Sequence, residues 1–320
     1  MATDKVRNLV VGLDGTWNDP SQLDQGKPAP TNVAKFISLL KRGQRVHYEE
    51  GVGTGMWEAV RGGIYGFGLD EKILGAYRFL CERFSEADWE REANKVFLLG
   101  FSRGAYAARR LSGLIAHSGI PAKVEDAELG FELYKTRDVD SPPHLKESQR
   151  FFDITVEMLA VWDTVKATND ADYHDNELCH NVVAGYQAMA IDERRRVFPV
   201  LRWDIDSRVT QVWFSGVHAD VGGGYAEIGL SDIALQWMVL RGLDHGLDFK
   251  EQEFYKLTPG PDGTMHQSYE GIWKTFGEEA RIIAATDLIH LTVAQRMQKI
   301  AGYQPAIPRA PSYWDEPYQL

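Results

Sequence analysis

The fold of this chain is decided by the stretch Lys95-Val96-Phe97-Leu98-Leu99-Gly100-Phe101-Ser102-Arg103-Gly104. Its first half is a short apolar run typical of a buried strand, and its second half is a turn with the pattern GxSxG. Residues 105–117 follow at once, with apolar side chains at helical spacing. A strand, a sharp turn and a helix in this order hold the central residue in a strained conformation with its hydroxyl at the sheet edge. The stretch therefore predicts that Ser102 is a nucleophile.

Other apolar runs alternate with amphipathic stretches along the rest of the chain. The predicted strands are residues 9–13, 45–48, 95–99, 156–162 and 209–214. The predicted helices are residues 70–84, 105–117, 231–240 and 291–300. This alternation indicates an α/β fold, a mostly parallel sheet flanked by helices, and together with the GxSxG turn it favours an α/β-hydrolase-like architecture.

The domain organisation predicted from the sequence is one domain over residues 1–320. No stretch rich in Pro, Gly and Ser divides the chain, and no internal repeat is visible. Residues 168–180 and 247–274 are candidates for inserted cap loops over the site. A chain of this length buries enough apolar surface to fold without metal or disulfide staples.

Composition excludes several classes of protein. The 35 Lys and Arg residues against 46 Asp and Glu residues leave a net charge of −11, which argues against nucleic acid as a partner. The two cysteines, Cys81 and Cys179, are too few for a disulfide framework and lack metal-ligand spacing. The sequence shows no signal peptide and no apolar stretch long enough to span a bilayer. We therefore expect a soluble, cytoplasmic protein. Export by a route that does not use a signal peptide stays open as an alternative.

A serine nucleophile needs a base and a carboxylate that orients the base. Asp163 follows the apolar run 156–162, and His218 follows the run 209–214. Three successive strand ends would therefore bring Ser102, Asp163 and His218 to one edge of the sheet, in the chain order that this fold uses. Two alternatives stay open: Asp220 as the acid and His290 as the base.

An oxyanion hole needs two N–H donors beside the nucleophile. One comes from the residue after it, here Arg103, and the other from the loop after an earlier strand. Gly15 or Thr16 is the candidate for the second donor, because both follow the first predicted strand. The same loop also fits a tight turn capped by an aspartate.

We expect no cofactor and no metal in this site. Gly51-Val52-Gly53-Thr54-Gly55 lacks the spacing of a dinucleotide-binding loop. The segment 170–180 is acidic and contains histidines, which fits either a solvated loop or a divalent metal site. Trp57, Tyr65 and Phe67 fit either an apolar rim for acyl chains or the protein core.

These motifs together resemble the α/β-hydrolase family called the domain of unknown function 2235, which includes the Tle1-like phospholipase effectors of type VI secretion. The resembling segments are residues 13–18, 51–54, 100–106, 161–165, 191–195 and 213–225. The resemblance implies that Ser102, Asp163 and His218 match the catalytic motifs of the family and that the activity is lipid or ester hydrolysis. This chain has Gln187-Ala188 where the family usually has a His-Ala pair.

The sequence thus predicts a serine esterase or lipase that acts on a lipid or small-molecule ester, with peripheral lipid contact left open. One alternative keeps the fold and changes the substrate to a peptide, a thioester or a sugar ester. Another is a binding module without catalysis.

Overall fold

A computed structural model describes residues 8–15, 18–51, 68–86, 95–136, 151–167 and 176–315. Its main feature is an eight-stranded sheet in the order β12-β11-β10-β9-β8-β5-β1-β4, in which every neighbouring pair runs parallel. The eight strands are β1 (Leu9–Leu13), β4 (Arg45–Glu49), β5 (Val96–Phe101), β8 (Val156–Trp162), β9 (Val182–Ala190), β10 (Val209–Phe214), β11 (Leu288–His290) and β12 (Ser312–Trp314). Two small antiparallel pairs are β2 (Leu23–Asp24) with β3 (Lys27–Pro28) and β6 (Ile120–Pro121) with β7 (Phe151–Phe152). The α/β class predicted from the sequence is confirmed.

The central strands are apolar throughout because helices cover both faces of the sheet. In β1, Leu9, Val11 and Leu13 face one apolar cluster, and Val10 faces the other. This alternation follows from the two-residue repeat of a strand.

The helices divide between these two faces. Residues of α2 (Leu69–Phe84), α3 (Arg103–Ser118) and α4 (Ala127–Lys135) pack in the first cluster. Residues of α1 (Asn32–Leu39) and α6 (Gly229–Asp244) pack in the second, together with Phe254 of the short helix α7 (Glu251–Phe254). The remaining helices are α5 (His218–Gly222) and α8 (Leu291–Lys299), with 3-10 turns at Val124–Asp126 and Gly271–Phe276. In the described part of the chain, no helix is both long enough and apolar enough to span a membrane.

One topological expectation is wrong. The ends of β5, β8 and β10 are not successive, because β9 lies between β8 and β10 both in the chain and in the sheet. Only the first two residues of β9 (Val182–Ala190) are β-branched, and the remainder contains a glycine and three alanines, which are residues of low strand propensity. The sequence does not predict the short strand β11 and the edge strand β12 either, because three residues give too little periodicity.

Candidate active site

Ser102 occupies a strained turn between β5 and α3. Its φ of 58° and ψ of −126° fall in a region that residues with a side chain rarely adopt. The flanking glycines are required by close packing: a Cβ on Gly100 would lie 2.5 Å from the carbonyl oxygen of Gly104, and one on Gly104 would lie 2.1 Å from the carbonyl oxygen of Leu13. The turn therefore has the backbone geometry of a nucleophile elbow.

The backbone of Ser102 is tied to the end of the neighbouring strand β8. Its N–H donates to the carbonyl of Trp162 at 3.0 Å, and its carbonyl accepts from the N–H of Val165 at 3.3 Å. Phe101 and Trp162 are partners in the parallel register. Asp163 is therefore placed beside the serine turn by the pairing of β5 with β8.

Asp163 and His218 form a buried pair. The Nδ1 atom of His218 lies 2.5 Å from Oδ2 of Asp163, and the two side chains are 7% and 0% exposed. Asp163 itself has a positive φ of 43°, so the chain bends sharply where β8 ends. His218 begins α5 after the end of β10, and its ring lies against Phe101, with 4.6 Å between the ring centroids.

The imidazole therefore lies against the residue that precedes Ser102. Among the described residues, no hydrogen bond joins the Ser102 hydroxyl to His218. With Nδ1 engaged by Asp163, the nitrogen left for another partner is Nε2.

A guanidinium group holds the far side of Asp163. Arg281 donates from one terminal nitrogen to Oδ1 and from the other to Oδ2 at 2.9 Å, and its side chain is buried. The backbone N–H of Ala190 also donates to Oδ1, at 2.9 Å. Although burial alone would raise it, the pKa of Asp163 lies well below its usual range because of Arg281 and His218. Burial in turn lowers the pKa of His218 from its ordinary value, since desolvation outweighs the attraction of Asp163.

Glu193 fixes the backbone of His218. Its Oε2 atom accepts from the N–H of His218 at 3.2 Å, and its Oε1 atom accepts from the hydroxyl of Ser268 at 3.0 Å. The guanidinium of Arg195 pairs with both oxygens at 2.9 Å. Although burial alone would raise it, the pKa of Glu193 is lowered to about 2, mainly by Arg195 and then by the charge of His218. This carboxylate is therefore ionised and joins three segments around the imidazole.

Aromatic side chains line the outer side of His218. The ring of Phe198 lies 5.1 Å from the imidazole and 5.4 Å from the ring of Trp273, measured between centroids. Arg195 lies over Phe198 at 3.7 Å and over Trp273 at 4.9 Å. We call Phe198 and Trp273 the aromatic wall of the site.

The two alternative residues have other partners. Asp220 lies two residues after His218, but its carboxylate pairs with His266, at 2.6 Å from Nδ1. His290 ends β11, stacks on Phe214 and contacts the hydroxyl of Thr292 at 2.8 Å. Burial lowers the pKa of His290 to about 4. The arrangement therefore favours Asp163 and His218 over these alternatives.

The predicted oxyanion donors are only partly described. A Cβ on Gly15 would lie 3.0 Å from the Cβ of Ser102, so the backbone of Gly15 passes directly beside the serine. The N–H of Gly15 donates to Oδ1 of Asp14 at 2.8 Å, the capped turn that the sequence left open as an alternative. Arg103 is the first residue of α3, where helix N–H groups face outward. Thr16 lies outside the described residues.

Several other predicted features also lie outside the described residues. These are Trp57, Tyr65 and Phe67 and most of the acidic segment, residues 170–175. Gln187, at the position of the family's usual histidine, is described: it is buried in β9 and its Oε1 accepts from the hydroxyl of Thr164. Gln187 is therefore a hydrogen-bonded core residue that contacts Thr164, the residue after Asp163.

Comparison with known proteins identifies the family. The sequence model of the type VI secretion phospholipase effector Tle1-like catalytic domain matches residues 7–241. The chain belongs to this family. The matched range contains Ser102, Asp163 and His218, whereas Arg281 and Ser268 lie beyond it.

Individual relatives of this Tle1-like domain are distant. The uncharacterized protein YEL023C of Saccharomyces cerevisiae is 25% identical over 232 residues, 61% of this chain and 32% of that protein. The crystal structure of an uncharacterized Pseudomonas aeruginosa protein has a TM-score of 0.52 at 19% identity and matches 78% of this chain and 47% of that one. A structure of the Tle1 effector bound to the VgrG spike has a TM-score of 0.41 at 19% identity, over 70% of this chain and 52% of that one. The chain thus spans about half or less of the length of these relatives.

Sequence reasoning did not assign a role to two residues of the site. Glu193 lies in the 191–195 segment that carries the family resemblance, which was a signal without an assigned function. Arg281 lies in a stretch with no strand or helix periodicity, more than a hundred residues after Asp163. A lone arginine in such a stretch gives no sign that it pairs with a buried carboxylate.

Proposed function

We propose that this Tle1-like domain is a serine hydrolase that cleaves carboxylic esters, with lipid or phospholipid acyl esters as the substrate class. The observation that carries the proposal is the position of the buried Asp163–His218 pair beside the strained turn that presents Ser102. A serine, an imidazole and a carboxylate on three strand ends are the groups that acyl transfer requires.

In the proposed mechanism, Oγ of Ser102 attacks the carbonyl carbon of the ester while Nε2 of His218 accepts the hydroxyl proton. Asp163 holds Nδ1 and stabilises the imidazolium that forms. The tetrahedral intermediate collapses, the alcohol leaves with the proton from His218, and an acyl-enzyme remains on Ser102. Water then attacks the acyl group, again with His218 as the base, and releases the acid.

Ser102 and His218 come into hydrogen-bond contact in this scheme when substrate is bound. Catalytic hydrogen bonds are often long in ligand-free enzymes and tighten in the substrate complex. The N–H of Arg103 is the first oxyanion donor. Gly15 is the second donor only if its N–H turns away from Asp14, and Thr16 is the other candidate for that place.

Two observations support a lipid ester as substrate. The family that the chain belongs to is described as phospholipase effectors. The aromatic wall also offers apolar surface beside His218, which suits an acyl chain.

A fluorophosphonate probe tests the nucleophile. We expect covalent labelling of Ser102 alone, loss of labelling in Ser102→Ala, and a large loss in His218→Asn. His290→Asn is the matched control for the base and keeps most of the labelling. Labelling that survives Ser102→Ala, or that depends on His290 rather than His218, would disprove this assignment.

A substrate panel tests the class of ester. Hydrolysis of p-nitrophenyl esters of increasing chain length and of phospholipid vesicles is compared with that of thioester, peptide and sugar ester substrates. We expect activity on acyl esters that Ser102→Ala removes. Preference for a peptide, thioester or sugar ester would keep the mechanism and overturn the lipid assignment, and an unreactive Ser102 would favour a binding module.

A further inference from the structure

A second cluster of titratable side chains lies next to the helix that carries His218. Asp24 on β2, Glu227 after α5 and His266 each offer one ligand atom, and these atoms all lie within 4.8 Å of one another. The three residues come from separate parts of the chain, so no spacing in the sequence reveals them. We propose that they bind one divalent metal ion of the Zn²⁺ or Mn²⁺ class.

The separation of two of the ligand atoms fits a shared ion better than a direct hydrogen bond. Nε2 of His266 and a carboxylate oxygen of Glu227 are 3.6 Å apart, which is longer than a hydrogen bond. Two ligands bound at about 2.1 Å to one tetrahedral or octahedral ion are about 3 to 3.5 Å apart. The observed pair therefore needs only a small adjustment to coordinate the same ion.

An independent carboxylate orients the histidine. Asp220, which is not one of the three ligands and is almost completely buried, lies 2.6 Å from Nδ1 of His266 and accepts its backbone N–H at 3.1 Å. A histidine that donates Nδ1–H to a carboxylate has its Nε2 lone pair available, which is the usual arrangement behind a metal-ligating imidazole. The ring is also fixed by stacking on Tyr225 at 3.7 Å between centroids.

The charge of the cluster favours a cation. Among the described residues, neither Asp24 nor Glu227 forms an ion pair with a lysine or an arginine. One oxygen of Asp24 is already oriented, because it accepts from the N–H of Ala226 at 3.0 Å. Two carboxylates and one imidazole are ligands suited to Zn²⁺ or Mn²⁺, whereas Ca²⁺ and Mg²⁺ prefer oxygen ligands throughout.

The ion would stabilise the segment that positions His218, and it would take no part in ester hydrolysis. Asp220 lies in α5 with His218, and Ser268, two residues from the ligand His266, donates to Glu193. A metal would therefore link β2, the segment after α5 and the segment around His266. This inference does not rest on the proposed hydrolase activity, and its test needs no substrate.

The test is calorimetric titration of the full chain after chelator treatment, with Zn²⁺, Mn²⁺ and Ca²⁺ in separate runs. We expect one saturable site for Zn²⁺ and Mn²⁺ that binds Ca²⁺ at least about tenfold more weakly. At a roughly hundredfold excess over Kd, the metal raises Tm by about 4 °C. No saturable binding would overturn the proposal and indicate that His266 only pairs with Glu227, and equal binding of Ca²⁺ would overturn the assigned class of metal.

Variants locate the site. We expect His266→Gln to abolish the saturable site and Glu227→Gln to weaken it at least about tenfold. Glu227 is exposed, so its variant folds even if His266→Gln does not. Glu251→Gln, an exposed acid on α7, is the matched control and keeps the affinity of the unchanged chain. Binding that neither His266→Gln nor Glu227→Gln weakens would place the ion elsewhere and refute the assignment.

Discussion

Arg281 donates to both carboxylate oxygens of Asp163, the same carboxylate that accepts a hydrogen bond from Nδ1 of His218. The carboxylate thus lies between a permanent cation and an imidazole, and all three side chains are buried. The arginine also donates to the backbone carbonyls of Ala190 and Phe198, at 3.0 Å and 2.9 Å. It therefore fixes the position of Asp163 and keeps it ionised.

Replacing Arg281 with Met leaves the charge of Asp163 buried with fewer partners. We expect the free energy of unfolding to fall by about 3 kcal/mol, because an incompletely paired buried charge is costly. The pKa of His218 rises, since a cation behind its carboxylate is gone, and the acidic limb of kcat/KM moves to higher pH. Denaturant unfolding and pH–rate profiles measure the two effects. Arg194→Met, at an exposed ion pair with Glu278, is the control and changes neither.

The pH profile of the unchanged protein gives a second prediction. Because burial lowers the pKa of His218 below the ordinary value of 6.5, the imidazole stays neutral, and able to accept a proton, in mildly acidic solution. We expect kcat/KM for ester hydrolysis to fall on the acidic side only below about pH 6.5. A fall of kcat/KM that begins well above that pH would show that the pKa of His218 is not lowered or that another group controls the reaction.

Glu193 gives a third prediction. Glu193→Gln keeps the shape of the side chain and removes the charge that pairs with Arg195 and accepts from the N–H of His218. We expect about 2 kcal/mol of lost stability, because Arg195 is left largely buried without its partner. If Glu193 positions the imidazole, kcat falls while KM for a short ester changes little. An equal loss in Glu279→Gln, at an exposed and looser pair, would remove any special role for Glu193.

The parts of the site that the sequence predicts are those encoded locally. The GxSxG turn needs its two glycines because the helix backbone packs against β5 and β1, and these residues are adjacent in the chain. Asp163 and His218 follow apolar runs, so their place at one edge of the sheet follows from the parallel arrangement. The fold class was predictable for the same reason.

The parts that were missed depend on contacts between distant segments. Strand β9 is β-branched only at its first two residues, Val182 and Val183, and the rest of it pairs with its neighbours β8 and β10 despite a run rich in alanine. Arg281 pairs with Asp163 although the two residues are 118 positions apart in the sequence. No local period or propensity encodes such a pairing, and only the assembled sheet shows it.

The strain at Ser102 gives a prediction that separates stability from activity. The φ of 58° with ψ of −126° costs a residue with a side chain about 1 to 3 kcal/mol, and glycine adopts it freely. Ser102→Gly therefore stabilises the protein by about 1 kcal/mol, after the greater flexibility of glycine in the unfolded chain is subtracted.

Ser102→Ala is the matched control: it removes the same hydroxyl and keeps the strain, so it gains no such stability. Both variants lose ester hydrolysis by at least about a thousandfold. Denaturant unfolding at equilibrium compares the two, and equal stability of the glycine and alanine variants would show that the turn stores no strain.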